Sequence, residues 1–203
     1  MKLLRTLFGD SKEEIWRQLA EEIQGTFVDG GFWNQDKVEA HYGDWKLVLD
    51  TYTVSSGKSS TTYTRMRAPF FRKDGFYFRI YRKGIFSGLG KWLGMQDIEV
   101  SNPEFDESFI IQGNDERKVK ALFANPTIQQ LIRVQPDIHF EIKDSGGFWG
   151  PAFPENVDQL YFEVYGVLKD QQALKALYLL FAEVLNQLCL LDSAYEGDPG
   201  IDL

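Results

Sequence analysis

Apolar residues recur along this chain in two rhythms. Ile15, Leu19 and Ile23 are four apart, the spacing of one helix face. Ser11 followed by Glu14 has the capping-box pattern, and Gly25 stands where a helix would stop, so a helix is predicted near 12–24. From residue 26 to 100 the period becomes two, with strands predicted near 26–29, 37–42, 45–54, 60–69, 76–83 and 97–100. Trp45, Leu47 and Leu49 share one face. Phe76, Phe78 and Ile80 share another, backed by Tyr77, Arg79 and Tyr81. Tyr42-Gly43-Asp44-Trp45 and Lys73-Asp74-Gly75-Phe76 read as hairpin turns, because Asp-Gly tolerates the positive φ of tight turns. With a longer hairpin loop at 55–60, this half reads as an antiparallel meander.

The second half reads strand, helix, helix, strand, strand, helix. In the stretch 101–126, Phe105, Phe109 and Ile111 have the spacing of core anchors. Glu104, Asp106 and Glu107 sit around Phe105 as in a solvated turn. Asn114 or Asp115 caps a helix bearing Val119, Leu122 and Phe123, where Asp115 and Glu116 suit the positive end of the helix dipole. Pro126 fits the start of a second short helix near 127–134. Strands follow at 137–144 and 160–167. The last helix, near 170–191, carries a wide apolar stripe: Leu174, Leu177, Phe181, Val184, Leu185 and Leu188.

These elements predict one α+β domain over 1–192 with an acidic tail at 193–203. Its curved, mostly antiparallel sheet has about seven or eight strands. An N-terminal helix, a central helical pair and the long C-terminal helix pack it. Two packed subdomains meeting near residue 96 are the alternative.

Composition narrows the function classes. Of 203 residues, 43% are hydrophobic and 15% aromatic, enough to build a core. The net charge of −8 opposes general nucleic-acid binding. A lone cysteine, Cys189, excludes a disulfide framework within the chain, and two histidines leave little for a metal site. No window approaches 18 uninterrupted apolar residues, so no transmembrane helix and a cytoplasmic location are expected. No cofactor, metal or catalytic residue is expected. There is no Gly-x-Ser-x-Gly elbow, and Cys189 reads as an inert thiol in an apolar helix.

Two features remain as candidates. Between 60 and 91, eight basic side chains face a single acid, Asp74. Alternation puts Tyr63, Arg65 and Arg67 on one strand face and Tyr77, Arg79 and Tyr81 on another. If the 70–75 turn pairs these strands, the rows lie side by side. Arginines among tyrosines suit an anion or an acidic protein surface; the alternative is a solvated face paired internally. The segment 84–94 lacks the Walker and dinucleotide glycine patterns. It leaves Phe86, Leu89 and Trp92 as an apolar flap, or as a loop folded over the sheet end. A carrier pocket between sheet and last helix, gated by Phe86 and Trp92, is a second reading. An enzyme built on carboxylates is a third. The apolar last helix also offers a surface for homo-oligomers.

The residues Phe105-Asp106, Phe109, Ile111, Gly113 and Asp115 form the pattern FD..F.I.G.D before a helix ending in Leu122-Phe123. This resembles a family of uncharacterised bacterial proteins, including cyanobacterial ones, over roughly 70–191. The resemblance implies no activity and supplies no catalytic residues. It supports reading the pattern as a fold signature, and the leading expectation is a non-enzymatic binding or interaction protein.

Overall fold

The protein is described by a computed structural model that places residues 10–31, 35–84, 96–144 and 153–203. Among these residues, nine strands form one antiparallel sheet. In chain order they are β1 (Thr26–Val28), β2 (Lys37–Tyr42), β3 (Trp45–Ser56), β4 (Ser59–Arg72), β5 (Phe78–Arg82), β6 (Phe109–Gly113), β7 (His139–Lys143), β8 (Val157–Tyr165) and β9 (Ala194–Tyr195). The strand order across the sheet is β1-β2-β3-β4-β8-β7-β5-β6, with β9 added on β4. The helices are α1 (Lys12–Glu22), α2 (Pro103–Ser108), α3 (Glu116–Phe123), α4 (Pro126–Arg133) and α5 (Gln171–Leu190). Strands from before and after residue 96 pair in the same sheet, as β4 does with β8.

Local chemistry sets the helix ends. The capping box of α1 forms as expected, with Ser11 and Glu14 each accepting from the other's backbone. Asp115 caps α3, Asn125 caps α4 and Asp170 caps α5.

All five helices among the described residues contribute side chains to one continuous core with one face of the sheet. Leu47, Leu49, Met66, Ala68, Phe78, Ile80, Phe140 and Phe162 supply the sheet side. Trp16, Leu19, Phe105, Leu122, Ile128, Leu177 and Phe181 supply the helix side. Trp16 donates its indole N–H to the Leu168 carbonyl at 3.1 Å, so this large ring is buried without an orphaned donor. Among the described residues α5 alone is long and apolar enough to cross a membrane by length and composition. Its stripe from Leu174 to Leu188 lies in the core.

The expected longer loop at 55–60 is a two-residue turn, Gly57-Lys58, with Ser55 and Ser56 paired to Ser60 and Ser59, and the structure departs from the sequence expectation in four further places. First, the 70–75 turn does not pair β4 with β5. β4 pairs β3 and β8, β5 pairs β6 and β7, and two strands stand between them. The turn is fixed instead by side chains. Asp74 accepts from the Phe76 N–H, and Asn114 holds Tyr77 N–H and Gly75 O. Second, residues 97–100 are not a strand; their backbone touches β6 through one bond, Ile98 N–H to Ile111 O, at 2.8 Å. Third, the expected turn around Phe105 is helix α2, capped by Asn102 and begun by Pro103. Fourth, the sheet has one strand more than expected. The 193–203 segment opens with β9, where Ala194 pairs with Arg72 and Tyr195 with Phe71.

Candidate functional site

The sheet face turned away from the helices carries a band of charge. Strand register builds it row by row. Asp50 on β3 stands beside Arg65 on β4, Glu163 on β8, His139 on β7 and Tyr81 on β5. In the next row come Arg67, Tyr161, Glu141, Arg79 and Gln112 on β6. Beyond the first row lie Tyr52, Tyr63 and Tyr165. The arginine rows share a face but do not lie side by side as the expected 70–75 hairpin would have set them, because β8 and β7 stand between them and bring acids.

Hydrogen bonds link the rows into a network. Arg65 grips Asp50 with two bonds, Nε to Oδ1 at 2.6 Å and Nη2 to Oδ2 at 2.9 Å. Arg67 Nη2 donates to the same Oδ2 at 2.8 Å. Tyr52 and Tyr161 both donate to Glu163 Oε2, at 2.6 and 2.7 Å. His139 lies between two carboxylates, with Nδ1 3.1 Å from Glu163 and Nε2 3.4 Å from Glu141. Arg79 donates Nε to Glu141 at 2.7 Å, and Lys143 lies 3.1 Å from the same carboxylate. The Lys143 ammonium also sits over the Tyr161 ring, 3.3 Å from its centre.

The network sets the protonation states. Burial opposes ionisation of both glutamates, but hydrogen bonds outweigh it, from His139 to Glu141 and from His139, Tyr52 and Tyr161 to Glu163. Both are held at about 2. Burial works against the His139 cation, yet the two glutamates raise its pKa above the ordinary value. Burial and the Glu163 charge push the Tyr161 and Tyr52 phenols up, so they stay donors. Two carboxylates shifted the same way do not make an acid–base pair, which needs opposed environments. Asp158, whose carboxyl burial raises to about 6, accepts from Arg72 at a different end of the sheet. There Arg72, Lys73, Asp74, Gly75, Glu155 and Asn156 line an open cavity of about 580 Å³. Among the described residues no group of His, Cys, Asp and Glu is arranged to hold a metal ion.

One donor stands apart. Arg67 is only 7% exposed, and its Nε has no hydrogen-bond partner among the described residues. Both other arginines on this face have Nε bonded to a carboxylate.

Of the residues singled out from sequence, Arg65, Arg67, Arg79 and Tyr81 come together here. Tyr77 precedes β5 and packs against the apolar core. Phe86, Leu89 and Trp92 lie outside the described residues. Sequence reasoning missed Asp50, Tyr52, His139, Glu141, Tyr161 and Glu163. The signal was present in the alternation of DIHFEIKD and LYFEVYGV, whose polar members complement the arginine rows. The space between sheet and α5, the expected carrier pocket, is occupied by side chains; the Phe140 and Phe181 rings sit 5.4 Å apart.

Comparison of the chain with family models, with curated proteins and with solved structures finds no match.

Proposed function

We propose that this protein is a non-enzymatic binding protein whose charged sheet face takes a small ligand with one anionic group. The observation that carries this reading is the buried Arg67 Nε without an acceptor. A buried unsatisfied donor costs about 1–3 kcal/mol, and a ligand oxygen at that position removes the cost. The rest of the face limits the ligand. Asp50 and Glu141 already pair with its arginines and Glu163 with His139, so a polyphosphate would meet three carboxylates at close range. A single carboxylate on a flat apolar body fits better, because Tyr52, Tyr63 and Tyr165 offer ring faces beside Arg65. Tyr52 and Tyr63 stack at 5.3 Å, and Tyr165, 73% exposed, meets Tyr63 edge-on at 6.1 Å. Since Nε is buried, the acceptor must be small and must shift neighbouring side chains to reach it.

The test is thermal unfolding with acetate, benzoate, inorganic phosphate, a nucleoside triphosphate and a fatty acid, at low and physiological salt. A ligand at a hundred times its dissociation constant stabilises by about 2.7 kcal/mol, which is visible as a midpoint shift. The expected result is a shift with benzoate that Arg67→Met abolishes. A shift of equal size in wild type and Arg67→Met, or a response to fatty acid alone, would overturn the reading.

A further inference from the structure

We infer that two copies of this chain pair through the outer edge of β3, with Val54 packed against Val54 of the second copy. β2 covers β3 only as far as the Val38–Leu49 pair, while β3 runs on to Ser56. The β3–β4 ladder continues without a bulge to Ser56–Ser59, so the far end of this hairpin is a two-stranded ribbon. Such a ribbon is marginal alone in water, and its open edge is a template for another strand.

The direction of its backbone groups follows from one bond. Gly166 N–H donates to Thr62 O, so the Thr62 backbone points away from β3. Alternation then turns Thr61 and Tyr63 toward β3 and their partners Val54 and Tyr52 toward β4. The N–H and C=O groups of Thr53 and Ser55 therefore face outward. Thr51 is buried beneath Gln35 and Lys12, but residues 53–56 are exposed and contain no charge, proline or bulge to protect the edge.

The occupant that fits is a second copy. An antiparallel pair centred on Val54 sets Thr53 against the second copy's Ser55, and Ser55 against its Thr53. The hairpin already uses such contacts internally, with Thr53 and Thr62 hydroxyls 2.9 Å apart and those of Ser55 and Ser60 at 3.0 Å. Val54, 51% exposed, lies at the closely spaced non-hydrogen-bonded position, opposite its own copy. The same register carries Lys58 toward the second copy's Gln35 and Asp36. Two chains of charge −8 repel elsewhere, and the uncharged edge lets them approach where repulsion is least.

Sedimentation velocity of the full chain at about 20 µM and about 500 µM tests this, since so short a ladder sits at the weak end of interfaces. Wild type is expected to move from monomer toward dimer over that range. Thr53→Pro removes an outward N–H while leaving the backbone bonds to β4, and Val54→Lys sets two like charges opposite each other; both variants are expected to stay monomeric. If Thr53→Pro fails to fold by circular dichroism, Val54→Lys alone decides. A wild type monomeric at both concentrations, with the edge left to a strand of another protein, overturns the inference. So does a dimer that survives both substitutions.

Discussion

The two faces of the central strands solve the same problem by different physics. Met66 and Phe162 face the helices, while their neighbours Arg65, Arg67, Tyr161 and Glu163 face away. Both sets are largely withdrawn from water. On the helix face, burial is favourable by itself, and shape decides how well it works. On the other face, burial is unfavourable for each group, and only a complete set of partners makes it tolerable. Among the described residues each face keeps a buried donor without a hydrogen-bond partner: the Trp45 indole N–H, enclosed by apolar side chains, and the Arg67 Nε–H, set among charged groups that could share a ligand. A binding site is expected where polar groups are held in place but not all of them are satisfied.

This contrast can be broken from either side. The largest effect belongs to the apolar face. Phe162→Ala leaves a cavity among fully buried neighbours and should cost about 3–5 kcal/mol, measured by urea unfolding. A loss below about 1 kcal/mol would mean that this core is looser than described.

Next is the polar face. Glu141→Gln removes the charge that Arg79, Lys143 and His139 share. Its expected cost is about 2–3 kcal/mol, since buried cations lose their partner. Little change would show that the face is solvated rather than interlocked.

The third effect is the pH profile. Glu141 and Glu163 have folded values near 2 against an ordinary 4.5. Their contribution is complete above 4.5 and is lost as pH falls toward 2. His139 is raised above 6.5, so its contribution is complete below 6.5 and fades as pH rises through its folded value. Chemical unfolding across pH should show both limbs. In His139→Gln the alkaline limb should vanish and the acid limb should move to higher pH. An unchanged profile would remove His139 from the network.

The smallest effect is the most informative. Arg67→Met should cost about 1 kcal/mol or less, because Arg65 keeps its two bonds to Asp50 and an orphaned donor disappears. Arg79→Met, which strands Glu141, should cost more. If Arg67→Met proves the worse of the two, Arg67 is structural and its place in a binding site is lost.

Much of the fold was legible because it rests on local rules. The capping box at Ser11, the Asp115 cap and the apolar stripe of the last helix need only near neighbours to be read. The FD..F.I.G.D pattern resolves into fold chemistry in the same way. Phe105, Phe109 and Ile111 are buried in the core. Asp106 accepts the backbone N–H groups of Val100 and Asn102, at 2.9 and 3.1 Å. Gly113 is needed because a Cβ there would lie 2.5 Å from Val119 and 2.9 Å from the Tyr77 carbonyl. The site was legible only in part. Alternation put Arg65, Arg67 and Arg79 on strand faces. It could not tell that β8 and β7, far later in the chain, insert between β4 and β5 with Glu163, His139 and Glu141. Strand order is a long-range property, and the Asp74-Gly75 turn misled because the Asn114 and Asp74 side chains, not a hairpin ladder, hold it.

The most direct test is the arginine Nε–H region of a ¹H–¹⁵N correlation spectrum, assigned through Arg67→Met and titrated with benzoate. The account predicts that the Arg67 Nε–H is protected from exchange, lacks the downfield position of a hydrogen-bonded donor, and moves furthest as benzoate binds. An Arg67 signal that already sits downfield without ligand, or that stays still while others shift, would contradict it.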